Sequence, residues 1–573
     1  MPETHPERTF VPEDLDPAQW SQLEPLFQAL LEQEIDSPAD LRQWLADFSE
    51  LMSVVSEFGT RRRVDQACHT DDPEIEKAFL HWVDEIAPKV KPLHFELQKK
   101  MLASPHKDAL AKERFAILIR EWQADVEIFR DENVPLQTQV TRKVSEYDKL
   151  IGAMEVEFRG ETYTLQQMAR FLDHPDRETR EEAWRLSAER RLKDREAIDA
   201  IFDEVRGLRR QIAHNADLPD YRAYAWKAYG RFDYTPDDCI AFQDAVAEVC
   251  VPLVEALDRE RRATLGLDAL RPWDLAVDKK GRPPLRPFDA DHPTELVDKT
   301  REVFRRVSPG LADDFAHLRV GRNLDLESRR GKRGGGFQAS LEESGEPFIF
   351  MNAAGVQRDV ETMLHEGGHA FHFMWACQNE PLVFLRHSPM EFAEVASMSM
   401  ELIGSHQLDV FYEDEEQLAR ARRAMLESTV RIFPWIATID AFQHWIYTHP
   451  GHTEPQRREH WRQLMDRFSS SEVDWAGLED ARSWLWHRQL HLFHHPFYYI
   501  EYGIAQLGAL QMWAQYQTDP DAALGRYRRA LSLGGTRKLP ELFEAAGLRF
   551  DFSRATLEPL MQQLGKEIAK LPD

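Results

Sequence analysis

Residues 363–372 read Met-Leu-His-Glu-Gly-Gly-His-Ala-Phe-His and contain the pattern H-E-x-x-H. On an α-helix, His365 and His369 would lie on one face, because side chains four residues apart share a face. Two imidazoles so placed can hold one zinc ion. Glu366 is then placed to accept a proton from a zinc-bound water, and not to bind the metal itself. The pattern predicts a hydrolase, and the alternative is an ordinary helix with two surface histidines.

The two glycines inside this pattern indicate close packing. Gly367 and Gly368 each cost roughly 0.8–1 kcal/mol relative to alanine in a helix. Such a cost suggests that another helix or another stretch of backbone comes very close at this point. Packing alone could explain one of the two glycines.

A third metal ligand is needed, and the candidates are His372, Glu391, Glu394 and Glu401. His372 is seven residues from His365, or ~10.5 Å along a helix, at 1.5 Å per residue. Zinc bonds are only about 2 Å long, so one straight helix cannot supply all three histidines. We therefore expect His372 to be a packing residue or a neighbour of the ligands.

The three glutamates lie on the next predicted helix. Ser388 at the N-cap would account for Glu391 through a capping box, without a metal. Glu394 follows one turn later among small residues, which would let its helix approach the first one closely, and we take it as the third ligand. Glu401 is two turns further on; it either orients a ligand histidine or is a solvated glutamate.

Bulk properties narrow the class of protein. The chain has 573 residues and a formal net charge of -27, which makes nucleic acid an unsuitable partner because phosphate binding needs clustered Lys and Arg. No apolar run reaches the ~20 residues that span a bilayer, so no membrane partner is expected. Four cysteines without C-x-x-C spacing argue against disulfides or a thiolate zinc site. The N-terminus lacks the pattern of a secretory signal, and we expect a cytoplasmic protein.

Apolar residues at helical spacing recur along most of the chain, for example in Trp20–Leu31, Arg114–Trp122 and Ile198–Ile212. The proline-rich stretch Asp268–Pro293 predicts a loop, and short apolar runs in Arg329–Asn352 predict β-strands. The sequence thus predicts a mainly α protein with a small β-sheet just before the H-E-x-x-H helix. A boundary near residue 200 would separate an N-terminal helical lobe (1–200) from a catalytic domain (201–573).

The chain resembles the oligoendopeptidase F branch of the thimet oligopeptidase family. The family pattern is H-E-x-G-H, followed by a zinc-binding glutamate in F-x-E-V-x-S, and Glu394 stands at that glutamate. The resemblance is specific mainly between Gly334 and Gln506. The matching stretches are Pro347–Asn352, Arg358–Val360, His365–His372 and Phe392–Ser397, with looser matches at Arg8–Asp14 and Leu270–Leu275.

The resemblance extends to the segment His491–Tyr502. In relatives, a histidine and tyrosines from this segment face the zinc and hold the substrate. By position, Tyr499 and Tyr502 match the tyrosines and His491 matches the histidine, although His494 and His495 are close alternatives. Two further readings of the segment are an aromatic core helix and a separate metal site at residues 487, 491 and 495. Tyr499 and Tyr502 are three residues apart and would share one helix face.

The resemblance implies one Zn²⁺ per chain, held by His365, His369 and Glu394, with Glu366 as the general base. Tyr502 would stabilise the oxyanion, assisted by His491 or Tyr499. Substrate backbone is expected to pair with the edge of the strand from Phe348 through Phe350 to Asn352. The further residues assigned to substrate binding are Gly335, Gly336, His495 and Tyr498.

The function that follows is a zinc-dependent endopeptidase acting on internal bonds of short peptides. The resemblance also implies two lobes with a long internal channel that admits only oligopeptides. Two alternatives remain: a zinc exopeptidase of carboxypeptidase type, and a non-catalytic peptide-binding protein. An exopeptidase needs a charge clamp for a peptide terminus, and the sequence does not reveal one. The oligomeric state cannot be predicted.

Overall fold

A computed structural model describes residues 8–110, 114–329 and 331–572. The chain forms two compact units, each built from three stretches. The first unit contains the chain up to Val126, Arg286–Leu418 and Gly508–Phe550. The second contains Glu127–Leu285, Ala419–Leu507 and the chain from Asp551 onward.

Most of the described chain is α-helical. The helices cover Trp20–Glu32, Pro38–Cys68, Pro73–His81, Ala87–Ala103, Lys107–Leu110, Ala116–Ile128, Asn133–Gly152, Leu165–Met168, Arg177–Lys193, Arg195–Asn215, Tyr221–Ala228, Pro236–Leu265, Thr294–Val307, Pro309–Val320, Gln357–Asn379, Met390–Gly404, Glu415–Thr448, Glu454–Phe468, Glu479–Ser483, His491–His494, Tyr499–Thr518, Pro520–Leu531, Leu539–Ala545 and Arg554–Lys570. Within the described ranges, none of them combines the length and the apolar character needed to cross a bilayer.

Two small sheets interrupt the helices. In the second unit, β1 (Glu155–Phe158) pairs antiparallel with β2 (Glu161–Thr164). In the first unit, β3 (Leu324–Glu327), β4 (Phe337–Leu341) and β5 (Glu346–Ala353) form a sheet in the order β3-β5-β4. β5 is the central strand, parallel to β3 and antiparallel to β4. It leads almost directly into the helix that carries the H-E-x-x-H pattern.

The predicted fold class, mainly α with a small sheet beside the H-E-x-x-H helix, is confirmed. The three quoted helical stretches and the two strands before the pattern are also confirmed, whereas the β1–β2 hairpin was not predicted. The two compact units do not divide the chain at a single point, and residue 200 lies within the helix Arg195–Asn215. The boundary at residue 200 and the internal channel stay predictions.

Two helices of the first unit position the candidate site, and we call them the histidine helix (Gln357–Asn379) and the glutamate helix (Met390–Gly404). The backbone entering the histidine helix is held by Asp359, whose Oδ2 accepts the N–H groups of Ala354 and Val356 at 2.8 and 2.9 Å. An acidic residue in the first turn also suits the positive end of the helix dipole.

The two helices meet at Gly368. A Cβ atom added there would lie 2.6 Å from Ser397 Cα and 2.8 Å from the Ala396 carbonyl oxygen, both backbone atoms of the glutamate helix. A Cβ at Gly367 would lie 2.7 Å from the ring of Phe304. Both glycines therefore allow close packing, and the close approach predicted from the sequence is confirmed.

Replacing Gly368 by alanine should destabilise the fold, because backbone atoms cannot move aside as a side chain can. We expect the free energy of unfolding in urea to fall by about 1–3 kcal/mol. Gly525→Ala is the matched control, since Gly525 also lies inside a helix of the first unit and an added Cβ would meet nothing within 4 Å. That variant should unfold at the same or a slightly higher urea concentration. Equal stability of the two variants would contradict the tight contact.

Candidate metal centre

Three side chains converge between the histidine helix and the glutamate helix. Nε2 of His365 lies 3.5 Å from Glu394 Oε2, and Nε2 of His369 lies 3.6 Å from the same oxygen. The three candidate ligand atoms are all within 4.8 Å of one another. Ser397 Oγ donates to Glu394 Oε2 at 3.2 Å, so the glutamate is held from its own helix.

Glu401 determines which ring nitrogen of His365 faces His369 and Glu394. Its Oε1 lies 2.6 Å from His365 Nδ1, so Nδ1 carries the proton and donates it to the carboxylate. Nε2 is then the nitrogen that would bind a metal, after losing any proton it carries. Of the two roles considered for Glu401, the contact matches that of orienting a histidine.

Burial and charge act differently on the three titratable groups. Burial lowers the pKa of His369 to about 4. It also lowers the pKa of His365, but the hydrogen bond to Glu401 and the nearby carboxylates outweigh burial and raise that pKa to about 9. Burial, with some repulsion from Glu394, raises the pKa of Glu366 to about 7. The pKa of Glu366 thus lies between those of the two histidines.

The donor set fits zinc. Two neutral imidazole nitrogens and one carboxylate oxygen form a set used by catalytic zinc sites, and a hard ion such as Mg²⁺ would require oxygen ligands. His372 is buried and its ring packs near Phe392, as expected for a packing residue. The predicted capping by Ser388 is wrong: the glutamate helix begins at Met390, and Ser388 Oγ donates to the Pro389 carbonyl without reaching the first turn.

Strand β4 runs beside Glu366. The backbone N–H of Gln338 donates to the Glu366 carboxylate and so holds it from the sheet side. Gln338 is opposite Ile349, whose own N–H donates to the Asn323 carbonyl at 2.9 Å, on the side of β3. When two opposite residues of an antiparallel pair do not hydrogen-bond each other, their backbone N–H and C=O groups point away from the partner strand. The backbone groups of Gln338 therefore face away from β5.

The expectation of a free strand edge does not hold at Phe350, which pairs with Asp325 of β3 and with Phe337 of β4; β5 is the central strand and β4 an edge strand. For Phe348 and Asn352 the assignment to substrate binding stays a prediction. Phe350 is fully buried and stacks on Phe337 with ring centroids 4.8 Å apart. The Asn352 side chain donates to the carbonyls of Arg333 and Gly335 at 2.8 and 2.9 Å, so its amide holds the glycine-rich loop.

The two glycines assigned to substrate binding lie in this loop, just before β4. Gly335 has φ +97°, a conformation that favours glycine, and a Cβ there would meet nothing within 4 Å. A Cβ at Gly336 would lie 3.2 Å from Thr362 Cγ2, on the histidine helix. Gly336 therefore allows the loop to pack against that helix, and its assignment to substrate binding stays a prediction.

The predicted histidine and tyrosines belong to the second unit, where they form a cluster of their own. Rings of His491 and Tyr502 lie 5.9 Å apart, and Tyr502 is 5.3 Å from Tyr499. Tyr502 Oη lies 3.5 Å from His491 Nε2. Tyr498 packs against both Tyr502 and His495, with ring centroids 5.4 and 6.2 Å apart.

Two residues that the sequence did not single out fix the tautomer of His491. Trp435 Nε1 lies 3.1 Å from Gln489 Oε1, and Gln489 Nε2 lies 2.7 Å from His491 Nδ1. An indole N–H can only donate, so the amide oxygen of Gln489 faces Trp435 and its NH₂ donates to Nδ1. Nε2 of His491 therefore carries the ring proton and faces Tyr502. Burial lowers the pKa of His491 to about 4, which keeps the ring neutral near pH 7.

The remaining candidates have separate partners. His494 lies 2.8 Å from Asp148 Oδ1, and His495 is exposed. Tyr499 is buried, and burial raises its pKa, while the polar groups of Trp435 and Gln489 act in the opposite direction. The structure thus leaves His491 as the histidine that faces Tyr502.

The segment His491–Tyr502 is not one continuous helix. The short helix His491–His494 ends before Pro496, and the next helix begins at Tyr499. Phe497, between them, has φ +69°, and its N–H donates to Gln443 while its carbonyl accepts from Arg231 at 2.6 Å. Residues 487, 491 and 495 therefore do not share a helix face, and they do not group as metal ligands in the described chain.

A second group of ligand-type residues does not fit a metal. Cys239, Asp440 and His444 are buried together in the second unit. Arg222 Nη1 lies 3.3 Å from His444 Nδ1, and a guanidinium only donates, so Nδ1 accepts and Nε2 keeps the proton. Nε2 faces Asp440 at 3.5 Å and cannot also bind a cation.

Sequence profiles of known protein families match most of the chain, including the stretch that holds His365, His369 and Glu394. The profile of peptidase family M3 matches residues 170–286 and 311–562, and that of the M3 N-terminal domain matches residues 10–129.

The chain belongs to peptidase family M3.

The prediction of an oligoendopeptidase F branch is confirmed, and that of a metallopeptidase is confirmed at the level of the family. The family also implies a catalytic metal.

Individual proteins that match the chain in sequence are named as oligopeptidases. The chain is 24% identical over 240 residues to an oligoendopeptidase F homolog of Borreliella burgdorferi, covering 41% of this chain and 40% of that protein. It is 25% identical over 304 residues to oligopeptidase PepF of Bacillus subtilis, covering 52% and 44%. The matches thus span less than half of these relatives. A crystal structure provisionally assigned as oligoendopeptidase F superposes with a TM-score of 0.87 at 26% identity, covering 98% of both chains.

Replacing Glu394 by glutamine should weaken metal binding, because the side chain keeps its size but loses its charge. We expect the purified variant to lose zinc on dialysis against a chelator under conditions in which the unaltered protein keeps one equivalent, measured by elemental mass spectrometry. Glu401→Gln should weaken binding by roughly 10–100-fold, as expected for a residue that orients a ligand. Glu391→Gln is the control and should retain the metal. Loss from Glu391→Gln with retention in Glu394→Gln would make Glu391 the third ligand.

Proposed function

We propose that this chain is a zinc-dependent endopeptidase that hydrolyses internal bonds of short peptides. The observation that carries the proposal is the convergence of His365, His369 and Glu394, with Glu366 beside them and held by the backbone of β4. Membership of peptidase family M3 supports it. The names of the relatives, oligoendopeptidase F homolog and oligopeptidase PepF, support short peptides as substrates.

His365, His369 and Glu394 would hold the metal. When bound, zinc acidifies a coordinated water and polarises a carbonyl group. Glu366 accepts the proton of the attacking water and delivers it to the leaving amine. A general base works best with a pKa near the working pH, and burial has raised the pKa of Glu366 to about 7. Gln338 keeps this carboxylate in place by its backbone N–H.

The resemblance to the family assigns hydrogen-bond donors for the transition state to the cluster of the second unit. The Tyr502 hydroxyl would donate to the oxyanion that forms as the carbonyl is attacked. His491 would assist with its Nε2–H, because Gln489 holds it in the tautomer that has a donor on that nitrogen. The assignment of Tyr499 to this role has less support, since its hydroxyl already contacts Trp435 and Gln489.

The edge strand β4 offers backbone groups to a peptide. Ser340, like Gln338, turns its backbone groups outward, because it is opposite Pro347, which has no N–H. An extended peptide can add to such an edge as a further strand, with main-chain hydrogen bonds providing affinity and little side-chain selectivity. β4 replaces β5 as the proposed pairing strand.

Glu366→Gln should abolish turnover while zinc content stays unchanged. We expect kcat to fall by roughly 10²–10⁴-fold, since the carboxamide cannot accept the proton. Glu361→Gln, which neutralises a carboxylate that contacts Gln357 and Arg358 on the same helix, is the matched control and should keep most of the activity. Cleavage is measured by mass spectrometry on a peptide library. Substantial activity in Glu366→Gln would remove its role as base.

The same library should contain peptides acetylated at the N-terminus and amidated at the C-terminus. An endopeptidase cuts such blocked peptides, and cleavage should stop when a chelator removes the metal. Cleavage only of peptides with a free end would support an exopeptidase. Binding of peptides without cleavage of any would support a non-catalytic peptide-binding protein.

Ser340→Pro tests the pairing of substrate with β4. Proline removes the outward N–H, while an edge strand tolerates it because no bond within the sheet is lost. We expect KM for peptides to rise several-fold with a smaller change in kcat. Ser340→Ala keeps the N–H, loses only the hydroxyl and should behave like the unaltered chain. An unchanged KM in Ser340→Pro, with thermal unfolding also unchanged, would rule out pairing at this residue.

A further inference from the structure

The chain bends sharply between the short helix His491–His494 and the helix that begins at Tyr499. Phe497 lies in this bend with φ +69°, in the left-handed region. For a residue other than glycine, such a conformation costs on the order of 1–3 kcal/mol and persists only where its surroundings fix it. His491 lies on one side of the bend and Tyr502 on the other. The bend therefore determines how these two side chains face each other.

Arg231 holds the bend on the side of Tyr502. Its side chain is buried, and Nη2 lies 2.6 Å from the Phe497 carbonyl oxygen and 2.6 Å from Glu501 Oε1. One guanidinium thus ties the left-handed residue to the first turn of the next helix, where Glu501 directly precedes Tyr502. The guanidinium is itself held from another side, since it lies over the Trp226 ring, 4.9 Å from the centroid.

Arg209 holds the bend on the side of His491. It is buried, and its Nη1 donates to the Leu492 carbonyl at 3.1 Å. Its Nη2 donates to the Phe493 carbonyl. Both carbonyls belong to the short helix that begins with His491. The position of Arg209 is fixed in turn by the Tyr447 hydroxyl, which accepts a hydrogen bond from Nη1 at 2.9 Å.

We infer that Arg209 and Arg231 are positioning residues for the proposed reaction, each acting through one member of the cluster. Arg231 fixes the direction of the Tyr502 hydroxyl, and Arg209 fixes that of the His491 ring. Hydrogen bonds from a charged donor are roughly twice as strong as neutral ones, so they restrain the backbone tightly. This restraint matters because a misplacement of about 1 Å can lower a rate about 100-fold. The inference rests on the proposed function, in which Tyr502 and His491 donate to the oxyanion.

A purely structural role of the two arginines is the alternative. Phe497 is fully buried, and its ring centroid lies 5.5, 5.4 and 5.4 Å from those of Trp226, His444 and Tyr447. This packing by itself favours the bend. The two roles differ in their consequences: a structural residue changes the fraction of folded protein, whereas a positioning residue changes the rate of the folded protein.

Lysine replacements distinguish the two roles, because lysine keeps the charge but loses the planar fork that reaches several acceptors. We expect Arg231→Lys and Arg209→Lys to lower kcat roughly tenfold to hundredfold, with KM and zinc content nearly unchanged. The rates are compared at a temperature where circular dichroism shows every variant to be folded.

Arg180→Lys is the matched control. Arg180 is also buried in the second unit and also bonds a carboxylate and backbone carbonyls, those of Asp274 and Trp273 among them, each at 3.0 Å. These contacts lie outside the segment His491–Tyr502. The variant should lose stability but keep its kcat.

Double variants separate positioning from any other loss of rate. If Arg231 acts through Tyr502, Arg231→Lys should lower kcat by less than about threefold in a Tyr502→Phe background, as for residues that act together. Arg209→Lys should behave in the same way in a His491→Phe background. Equal losses with and without the second replacement, or no loss in either folded lysine variant, would overturn the positioning roles.

Hydrogen–deuterium exchange, measured by mass spectrometry, follows the segment without relying on catalysis. We expect the amides of residues 492–499 to exchange several-fold faster in Arg231→Lys and Arg209→Lys, and at the unaltered rate in Arg180→Lys. Unchanged exchange in both lysine variants of the bend would overturn the inference even if their rates fell. An unaltered chain that cuts no peptide would overturn the proposed function instead, and the exchange of these amides would still decide whether the two arginines hold the bend.

Discussion

The backbone contact between the histidine helix and the glutamate helix is the constraint on which the proposed metal centre depends. Glu394 lies on the glutamate helix, yet it approaches both histidines of the histidine helix, at 3.5 and 3.6 Å. A carboxylate side chain is short, so this requires the helix axes to be unusually close. Gly368 allows that approach, because any side chain there would clash with Ser397 or Ala396. Gly368 lowers the intrinsic stability of the helix, but its small size brings Glu394 within reach of His365 and His369.

The features that the sequence predicted correctly depend on residues that lie close together along the chain. The spacing of His365 and His369 depends only on helix periodicity, and the small residues around Glu394 indicated a close neighbour without any knowledge of the fold. The strands before the histidine helix were also predicted from their short apolar runs between turn residues. Each of these features lies within a few residues of the side chains that it positions.

What the sequence did not predict depends on contacts between distant stretches. The sequence led us to expect a pairing edge on β5, but β5 is the central strand between β3 and β4, and strand order cannot be read from any one strand alone. Trp435 and Gln489 are far apart along the chain, so their role in orienting His491 appears only when the helices are assembled.

His365 and His491 are held by opposite kinds of partner, and the difference suits their proposed roles. The Glu401 carboxylate accepts a hydrogen bond from His365 Nδ1–H, which directs Nε2 to the metal position and makes the ring a better electron donor, as a metal ligand requires. Gln489 is neutral and donates to His491 Nδ1, which leaves Nε2 with its proton as a hydrogen-bond donor. A carboxylate at position 489 would reverse that arrangement and favour the charged ring. An amide at 489 and a carboxylate at 401 are thus not interchangeable, although both contact the same nitrogen of a histidine.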